Sequence, residues 1–268
     1  MLYHAQNGTV QLERGAMDYI SFGTGPRTLV MLPGLGDGLK TVRGSAIPFA
    51  LLYRAYAKDC RVYVFSRKVP LEDSASTRTM ARDQKEAMDR LGISRADVLG
   101  VSQGGMVAQY LAIDHPDAVN RLVLAVTAAK ANDTVRQVVG RWTRMAEAGD
   151  YKGLMIDTAE TMYTEAYLKH YRPLYPILGR VGKPKEFHRF LVQANACVTH
   201  DACPELSKIK APTLVIGGAC DRVVGKEAAG ELAEGIPGSR LFVYPDLGHG
   251  AYEEAKDFDR LVLEFLNS

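Results

Sequence analysis

The chain has 268 residues, of which 47% are hydrophobic, and its formal net charge at pH 7 is +2. This length and composition allow one large or two small domains with a substantial buried core, and they exclude a disordered chain. Basic and acidic residues are interspersed, which argues against a nucleic-acid or polybasic membrane surface and leaves a small molecule as the expected partner.

The N-terminus and the cysteines bear on the compartment. The first residues contain neither a basic start nor an apolar run, and no apolar run approaches membrane-spanning length, so we expect a cytoplasmic protein without a membrane partner. The cysteines are too sparse for a disulfide scaffold and lack the paired spacing of zinc sites, so we expect reduced thiols in the core and no metal site. They are Cys60, Cys197, Cys203 and Cys220.

The first part of the chain predicts a hairpin, a strand and a helix. Residues 9–13 and 17–22 have the pattern of two short antiparallel strands. Residues 28–32 are a compact apolar strand, and the glycine-rich loop at residues 33–38 lets a ligand approach the backbone closely. A helix is predicted over residues 45–58.

Strands and helices alternate after this point. A strand at residues 61–65 precedes an amphipathic helix at residues 79–91. Residues 96–110 predict a buried strand, a sharp turn and a helix, and residues 121–126 predict another buried strand. The alternation favours a parallel sheet with helices on both faces.

Strand signals are absent from residues 128–208, where several helical patterns follow one another. Aromatic and methionine side chains recur in this stretch. They can line an adaptable apolar pocket, or they can pack between helices. The side chains that we expect to contact substrate are Trp142, Met145, Met162 and Tyr163.

The alternation resumes near the C-terminus. The predicted elements are a strand at 213–216, a helix at 226–233, a strand at 240–244 and a helix at 251–266. We therefore predict an α/β core domain formed by residues 1–127 and 209–268. Residues 128–208 are predicted to be a helical cap inserted over the carboxyl edge of the sheet.

The turn at residues 100–104 reads Gly-Val-Ser-Gln-Gly and falls between a buried strand and a helix. Glycines on both sides of Ser102 permit a strained turn that exposes the hydroxyl. The following helix directs N–H groups and the positive end of its dipole at the same space, where they would stabilise negative charge. We interpret Ser102 as the nucleophile of an acyl-transfer site, with a glycine-rich packing turn as the alternative.

A serine nucleophile needs a base that is itself oriented by a carboxylate. His249 lies between two glycines after the last predicted strand, and Asp221 follows the strand at residues 213–216, so both reach the sheet edge that carries Ser102. The chain order serine, acid, histidine is the order that this strand-turn-helix arrangement uses. The rival acids are Asp133 and Asp246.

An oxyanion hole requires two backbone donors near the nucleophile. Gln103, directly after the serine, supplies one N–H group. Leu35, in the glycine-rich loop, is the expected second donor. The positions of the N–H groups matter more than the side chains, so a loop of glycine and apolar residues suits this role.

Together these residues resemble the α/β-hydrolase superfamily. The resemblance rests on residues 100–104, the Pro-Gly-Leu loop at residues 33–35, Asp221 and His249, and it covers nearly the whole chain. It is strongest for single-domain members with a helical cap, which include carboxylesterases, enol-lactonases, carbon–carbon bond hydrolases and cofactor-free haloperoxidase-like enzymes. It implies an α/β-hydrolase fold, with Ser102 as nucleophile, His249 as base and Asp221 as the orienting acid.

Two features depart from the pattern of the family. Many members have a histidine where this chain has Pro33, and many have a glycine-rich Asp-x-x-Gly-x-Gly turn where residues 66–70 read Ser-Arg-Lys-Val-Pro. We expect the shape of the loop and the access to the pocket to differ accordingly. Neither departure removes a catalytic group.

The elbow residue also restricts the reaction. A serine at this position argues against the carboxylate attack of haloalkane dehalogenases and epoxide hydrolases. We expect hydrolysis of a small-molecule carboxylic ester without a metal or an organic cofactor, by a monomer or a homodimer. The alternatives are carbon–carbon bond or enol-lactone hydrolysis by the same three residues, and a small-molecule receptor of the same fold.

Overall fold

A computed structural model describes residues 2–178 and 182–268, and in this part of the chain eight strands form one sheet. The strands are β1 (Gln6–Gln11), β2 (Ala16–Phe22), β3 (Arg27–Leu32), β4 (Cys60–Phe65), β5 (Ala96–Val101), β6 (Val119–Ala125), β7 (Thr213–Gly218) and β8 (Arg240–Tyr244). Their order in the sheet is β1-β2-β4-β3-β5-β6-β7-β8. β2 pairs antiparallel with β1 and β4, and every other pairing is parallel. The predicted hairpin and the mostly parallel sheet are confirmed.

Helices connect most of these strands. They are α1 (Ala46–Leu52), α2 (Thr77–Arg90), α3 (Gln103–Asp114), α4 (Asp133–Glu147), α5 (Tyr151–Met162), α6 (Glu165–Tyr171), α7 (Tyr175–Leu178), α8 (His188–Val198), α9 (Ala228–Gly235), α10 (Ala251–Glu254) and α11 (Phe258–Asn267). Within residues 2–178 and 182–268, none of the helices has the length and apolar character needed to cross a membrane.

Two of the predicted helices were too long. The helix predicted over residues 45–58 ends at Leu52, because Tyr53 leaves the helical conformation (φ −101°, ψ 29°) and a separate 3₁₀ turn follows. The helix predicted over residues 251–266 is divided into α10 and α11, because Ala255 is extended (φ −76°, ψ 115°). Both interruptions occur inside apolar helical patterns, which do not reveal a local change of backbone direction.

The expected place of the cysteines in the core is confirmed for two of them only. Cys60 and Cys197 are buried, whereas Cys203 and Cys220 are exposed. The prediction of a core thiol was wrong for Cys203 and Cys220, because composition and spacing do not reveal the burial of a single side chain.

Side chains of the sheet alternate between two faces, and helices cover both. Val30 and Leu32 of β3 belong to a core formed with α2, α3 and α9. Leu29 and Met31 of the same strand belong to a core formed with α1 and α11. Because the central strands are parallel, the loops after β3, β5, β7 and β8 meet at one edge of the sheet.

Residues 128–208, which we call the helical segment, contain α4 to α8 and no strand within the part that the structure describes. The segment has an apolar core of its own, in which Trp142, Leu154 and Phe190 pack together with Leu35 and Met106 from outside it. This core therefore joins the helical segment to the loop after β3 and to α3. The boundaries of the predicted cap domain stay a prediction, and residues 179–181 of that prediction lie outside the described residues.

Candidate active site

Ser102 occupies the sharp turn between β5 and α3. Its backbone has a positive φ (φ 53°, ψ −120°), which is a strained conformation for a residue with a side chain. Two hydrogen bonds hold the turn: the Ser102 N–H donates to the Ala125 carbonyl at 2.9 Å, and the Thr127 hydroxyl donates to the Ser102 carbonyl at 2.7 Å. The end of β6 and the residues directly after it thus fix the serine at the sheet edge.

The glycines that flank Ser102 are required by close backbone contacts. A methyl group on Gly104 would lie 1.9 Å from the Leu32 carbonyl oxygen. A methyl group on Gly100 would lie 2.6 Å from the Gly104 carbonyl oxygen. No side chain fits at either position, because the contacting atoms belong to the backbone and cannot rotate away.

His249 and Asp221 lie beside Ser102 in a hydrogen-bonded chain. His249 Nε2 is 2.9 Å from Ser102 Oγ, and His249 Nδ1 is 2.8 Å from Asp221 Oδ2. The other carboxylate oxygen of Asp221 accepts the N–H groups of Val223 and Val224 at 2.8 and 2.9 Å. With Nδ1–H donating to the carboxylate, Nε2 has a lone pair for the serine hydroxyl, which is the arrangement of a nucleophile, a base and an orienting acid.

The base and the acid of this arrangement are both removed from solvent, since His249 is 2% and Asp221 is 6% exposed. The rival acids have other surroundings. Asp133 is the exposed first residue of α4, and Asp246 is exposed after β8. Within residues 2–178 and 182–268, the carboxylate that contacts His249 is Asp221.

The two expected oxyanion donors each begin a helix. Leu35 is the first residue of a 3₁₀ turn (Leu35–Gly38), and Gln103 is the first residue of α3. The first N–H groups of a helix have no acceptor within it, so both remain available to a substrate oxygen. The loop after β3 runs against the serine, because a methyl group on Gly34 would lie 3.3 Å from Ser102 Cβ and 3.8 Å from Ser102 Oγ.

A cavity of about 410 Å³ is lined by both Ser102 and His249. Its walls come from the sheet edge, the loop after β3, α1, the helical segment, α10 and the start of α11, and most of the side chains are apolar. The apolar lining includes Val42, Phe49, Leu52, Trp142, Met162 and Tyr252. A site of this kind accepts a substrate with an apolar body and holds its reacting carbonyl at the serine.

Of the four residues in the helical segment that were predicted to contact substrate, two line the cavity and two do not. Trp142 and Met162 line the cavity, and the indole N–H of Trp142 donates to Asp157 at 2.7 Å. Met145 and Tyr163 are not among the cavity residues. Met145 packs into the core of the helical segment, and the Tyr163 hydroxyl donates to Glu253 at 2.6 Å. Burial, followed by the charge of Glu253, raises the pKa of Tyr163, which keeps the hydroxyl a donor.

Sequence reasoning missed the contribution of α1. Phe49 and Leu52 of α1, and Tyr53 directly after it, line the cavity although they lie far from the predicted cap in the sequence. A signal was present, since Leu52 belongs to an apolar run that is too long for the buried side of a short helix. In the structure Leu52 is 56% exposed, so α1 forms the margin of the cavity.

Charged groups at the cavity are few. Among the described residues that line it, Lys40 carries the one cationic side chain, and Asp37 and Glu253 are the acidic ones. Asp37 is 5% exposed and is paired with Arg189 at 2.5 Å. The cavity therefore offers a substrate one accessible positive charge on a largely apolar surface.

The chain is similar to known proteins of one family. A family model described as "alpha/beta hydrolase fold" matches residues 27–256. A 2-hydroxy-6-oxononadienedioate/2-hydroxy-6-oxononatrienedioate hydrolase of Burkholderia vietnamiensis is 32% identical over 263 residues, which cover 92% of this chain and 90% of that protein. A 2-hydroxy-6-oxo-6-phenylhexa-2,4-dienoate hydrolase of Comamonas testosteroni is 30% identical over 80% of this chain and 77% of its own length.

The chain is also similar in fold to solved structures. The crystal structure of the enol-lactonase from Burkholderia xenovorans superposes with a TM-score of 0.82 at 23% identity. The match covers 97% of this chain and 100% of that one. At this identity the similarity concerns the fold alone.

Proposed function

Because the chain belongs to the α/β-hydrolase family, we propose that it hydrolyses a carboxylic ester with an apolar body through an acyl-enzyme on Ser102. The family, the fold and the assignment as a hydrolase, all predicted from the sequence, are confirmed. The ester and the roles of the individual residues are the proposal. One observation carries it: the hydrogen-bonded chain from Asp221 through His249 to Ser102 lies at the wall of an apolar cavity.

The first half of the reaction forms the acyl-enzyme. Ser102 Oγ attacks the carbonyl carbon while His249 Nε2 takes the hydroxyl proton, and Asp221 stabilises the resulting imidazolium. The N–H groups of Leu35 and Gln103 donate to the tetrahedral oxyanion. His249 then gives its proton to the alkoxy oxygen, the carbon–oxygen bond breaks and the alcohol leaves.

The second half releases the acid. A water molecule gives a proton to His249 Nε2 and attacks the acyl carbon, and the same two N–H groups stabilise the second oxyanion. His249 returns the proton to Ser102 Oγ as the acyl bond breaks. The enzyme is regenerated, and one water has been consumed for each ester cleaved.

The walls of the cavity limit the substrate. A volume of about 410 Å³ suits a small or medium-sized molecule, and the apolar lining favours a hydrocarbon or aromatic body. Lys40 can pair with one negative group of the substrate. A second carboxylate would find no further cation among the described lining residues, so burying it would be unfavourable.

Carbon–carbon bond hydrolysis is a second candidate, which the named activities of the relatives favour. The same serine attack on a ketone would release a carbon leaving group, which must be protonated as the bond breaks. The name of the Burkholderia vietnamiensis relative denotes a dicarboxylate, and that of the Comamonas testosteroni relative denotes a phenyl-substituted monocarboxylate. The apolar cavity of this chain is better matched to the second kind of molecule.

The test of the proposal begins with a fluorophosphonate probe and mass spectrometry. We expect one adduct on the parent protein and none on Ser102→Ala. Nitrophenyl esters of increasing acyl length should then be turned over by the parent only, with an optimum that reflects the size of the cavity. Absence of an adduct on folded parent protein would contradict the proposed nucleophile.

A parallel assay separates the two reactions. The parent is supplied with a 2-hydroxy-6-oxo-6-phenyl dienoate, and loss of the conjugated dienoate absorbance is followed. A kcat/KM for this ketone that exceeds the value for the best nitrophenyl ester by about 100-fold or more would replace ester hydrolysis with carbon–carbon bond hydrolysis. Ser102→Ala is the control for both substrates.

A further inference from the structure

A buried arginine follows β4, in the segment at residues 66–70 that departs from the pattern of the family. Arg67 is 1% exposed and is the bulkiest of the fully buried side chains in residues 2–178 and 182–268. The catalytic steps proposed above do not use it. Its position next to the loop after β3 and next to α3 calls for a physical explanation.

Arg67 contacts both segments that supply the oxyanion donors. One guanidinium nitrogen, Nη2, donates to the Pro33 carbonyl at 2.8 Å and to Gln103 Oε1 at 3.3 Å. Pro33 lies two residues before Leu35, and Gln103 carries the other N–H group itself. A single planar group thus joins the loop after β3 to the first residue of α3.

The backbone of Arg67 is held by the same loop and by α8. The Arg67 N–H donates to Asp37 Oδ2 at 3.0 Å, and Arg189 of α8 donates to the Arg67 carbonyl at 2.9 Å. Arg189 also pairs with Asp37 Oδ2 at 2.5 Å. The arginine is therefore fixed from both ends, by its side chain and by its peptide group.

Keeping a cation in this place is costly. Burial lowers the pKa of Arg67, and the charge of Asp37 acts in the opposite direction. An arginine guanidinium keeps its proton in proteins because its ordinary pKa is so high. Arg67 Nε and Nη1 have no protein acceptor among the described residues. An apolar side chain of similar volume would fill the space with less desolvation, so packing alone does not account for an arginine here.

We propose that Arg67 is a positioning residue for the oxyanion hole. Its guanidinium binds both the Pro33 carbonyl and the Gln103 side chain, and it thereby fixes the two segments that carry the N–H donors relative to each other. This inference rests on the proposed function, because it concerns the same two N–H groups. The arginine touches no reacting atom. It acts by keeping the Leu35 and Gln103 N–H groups at a fixed separation from each other and from Ser102.

The test compares Arg67→Met, Arg67→Lys and Lys68→Met in steady-state ester hydrolysis. Arg67→Met should lower kcat by about 100-fold, as expected when one oxyanion donor is lost, and leave KM within about twofold. The kcat of Arg67→Lys should be about tenfold higher than the kcat of Arg67→Met, because an ammonium group reaches one of the two acceptors. Lys68→Met is the matched control. Lys68 pairs with Asp83 at 3.0 Å, so this variant should leave kcat unchanged.

Two outcomes would overturn the inference. One is a kcat within about threefold of the parent for folded Arg67→Met, and the other is an equal loss of kcat in Lys68→Met. If Arg67→Met does not fold, Arg67→Lys decides, and a kcat within about twofold of the parent then counts against the role.

A second readout does not depend on turnover. Amide cross-peaks of Leu35 and Gln103 in ¹H–¹⁵N spectra should shift in the folded Arg67 variants and stay in place in Lys68→Met. Unmoved cross-peaks would overturn the inference. A parent protein without Ser102-dependent turnover would instead defeat the proposed function, and the amide shifts would still report on Arg67.

Discussion

Two buried histidines lie in different regions of the molecule, and they differ in the group that the Nδ1 atom of each contacts. His249, at the carboxyl edge of the sheet, is 2% exposed, and His200, after α8, is 3% exposed. His249 Nδ1 is 2.8 Å from the Asp221 carboxylate. His200 Nδ1 is 2.9 Å from the Thr77 hydroxyl, and its ring meets Tyr110 edge-on at 5.4 Å.

The difference shows what makes a buried histidine useful as a base. A carboxylate neighbour can stabilise the imidazolium that forms when the ring takes a proton, whereas a hydroxyl neighbour cannot offset the desolvation of that charge. Accordingly, burial lowers the pKa of His200 to about 4. His200 is a neutral packing residue at pH 7, and burial by itself does not mark a catalytic histidine.

The largest expected effect on kcat comes from replacing each of the two histidines separately by glutamine. His249→Gln should lower kcat by about a millionfold, because the serine loses its base. His200→Gln should leave kcat within about threefold, since its ring contacts α2 and α3 away from the cavity. Steady-state ester hydrolysis measures both. A His249→Gln variant that kept more than a hundredth of the parent kcat would contradict the role of His249 as the base. A His200→Gln variant whose kcat fell by more than tenfold would contradict the packing role of His200.

A smaller effect is expected when the carboxylate is neutralised. Asp221→Asn preserves the shape of the side chain, but an amide NH₂ directed at Nδ1 favours the tautomer whose Nε2 carries the proton. The Ser102 hydroxyl then has no acceptor, and kcat should fall by about 10⁴-fold with little change in KM.

The rival acid supplies the control for this variant. Asp246 is exposed after β8, so Asp246→Asn should leave kcat unchanged. A comparable loss in both variants would mean that the general negative charge near His249, and not the hydrogen bond from its Nδ1, supports the reaction.

The positions of Ser102, Asp221 and His249 could be predicted together because each follows a strand of the parallel part of the sheet. Strand-end residues are fixed by the backbone: Ser102 by its turn after β5, and the other two by loops after β7 and β8. Glycine spacing and strand periodicity carry that information directly. The parallel sheet then brings the three side chains to one edge without any knowledge of the packing.

The cavity walls could be predicted only in part. Trp142 and Met162 line the cavity, whereas Met145 and Tyr163 belong to the same helical patterns and pack elsewhere. Which side of a helix faces a cavity depends on how neighbouring helices cross, and a single sequence pattern does not specify this. Arg67 was missed for a similar reason, because its partners come from three separate segments.

The smallest expected effect concerns His200 and the pH dependence of stability. The unfolded chain binds a proton at this histidine with an ordinary pKa of 6.5, and the folded chain binds it only near 4. Between these values the unfolded state binds more protons, so the contribution of this group to stability falls as the pH falls from about 6.5 to about 4. At pH 5 the loss from this group amounts to about 2 kcal/mol.

Denaturant unfolding at pH 7 and pH 5 measures the effect. His200→Gln removes the titrating ring. From pH 7 to pH 5, the free energy of unfolding of this variant should therefore fall by about 2 kcal/mol less than the free energy of unfolding of the parent. His170→Gln is the matched control, because His170 is exposed on α6, and it should keep the pH dependence of the parent. Equal pH dependence in parent and His200→Gln would mean that His200 accepts a proton in the folded state, and the contrast with His249 would then need a cause other than the missing carboxylate.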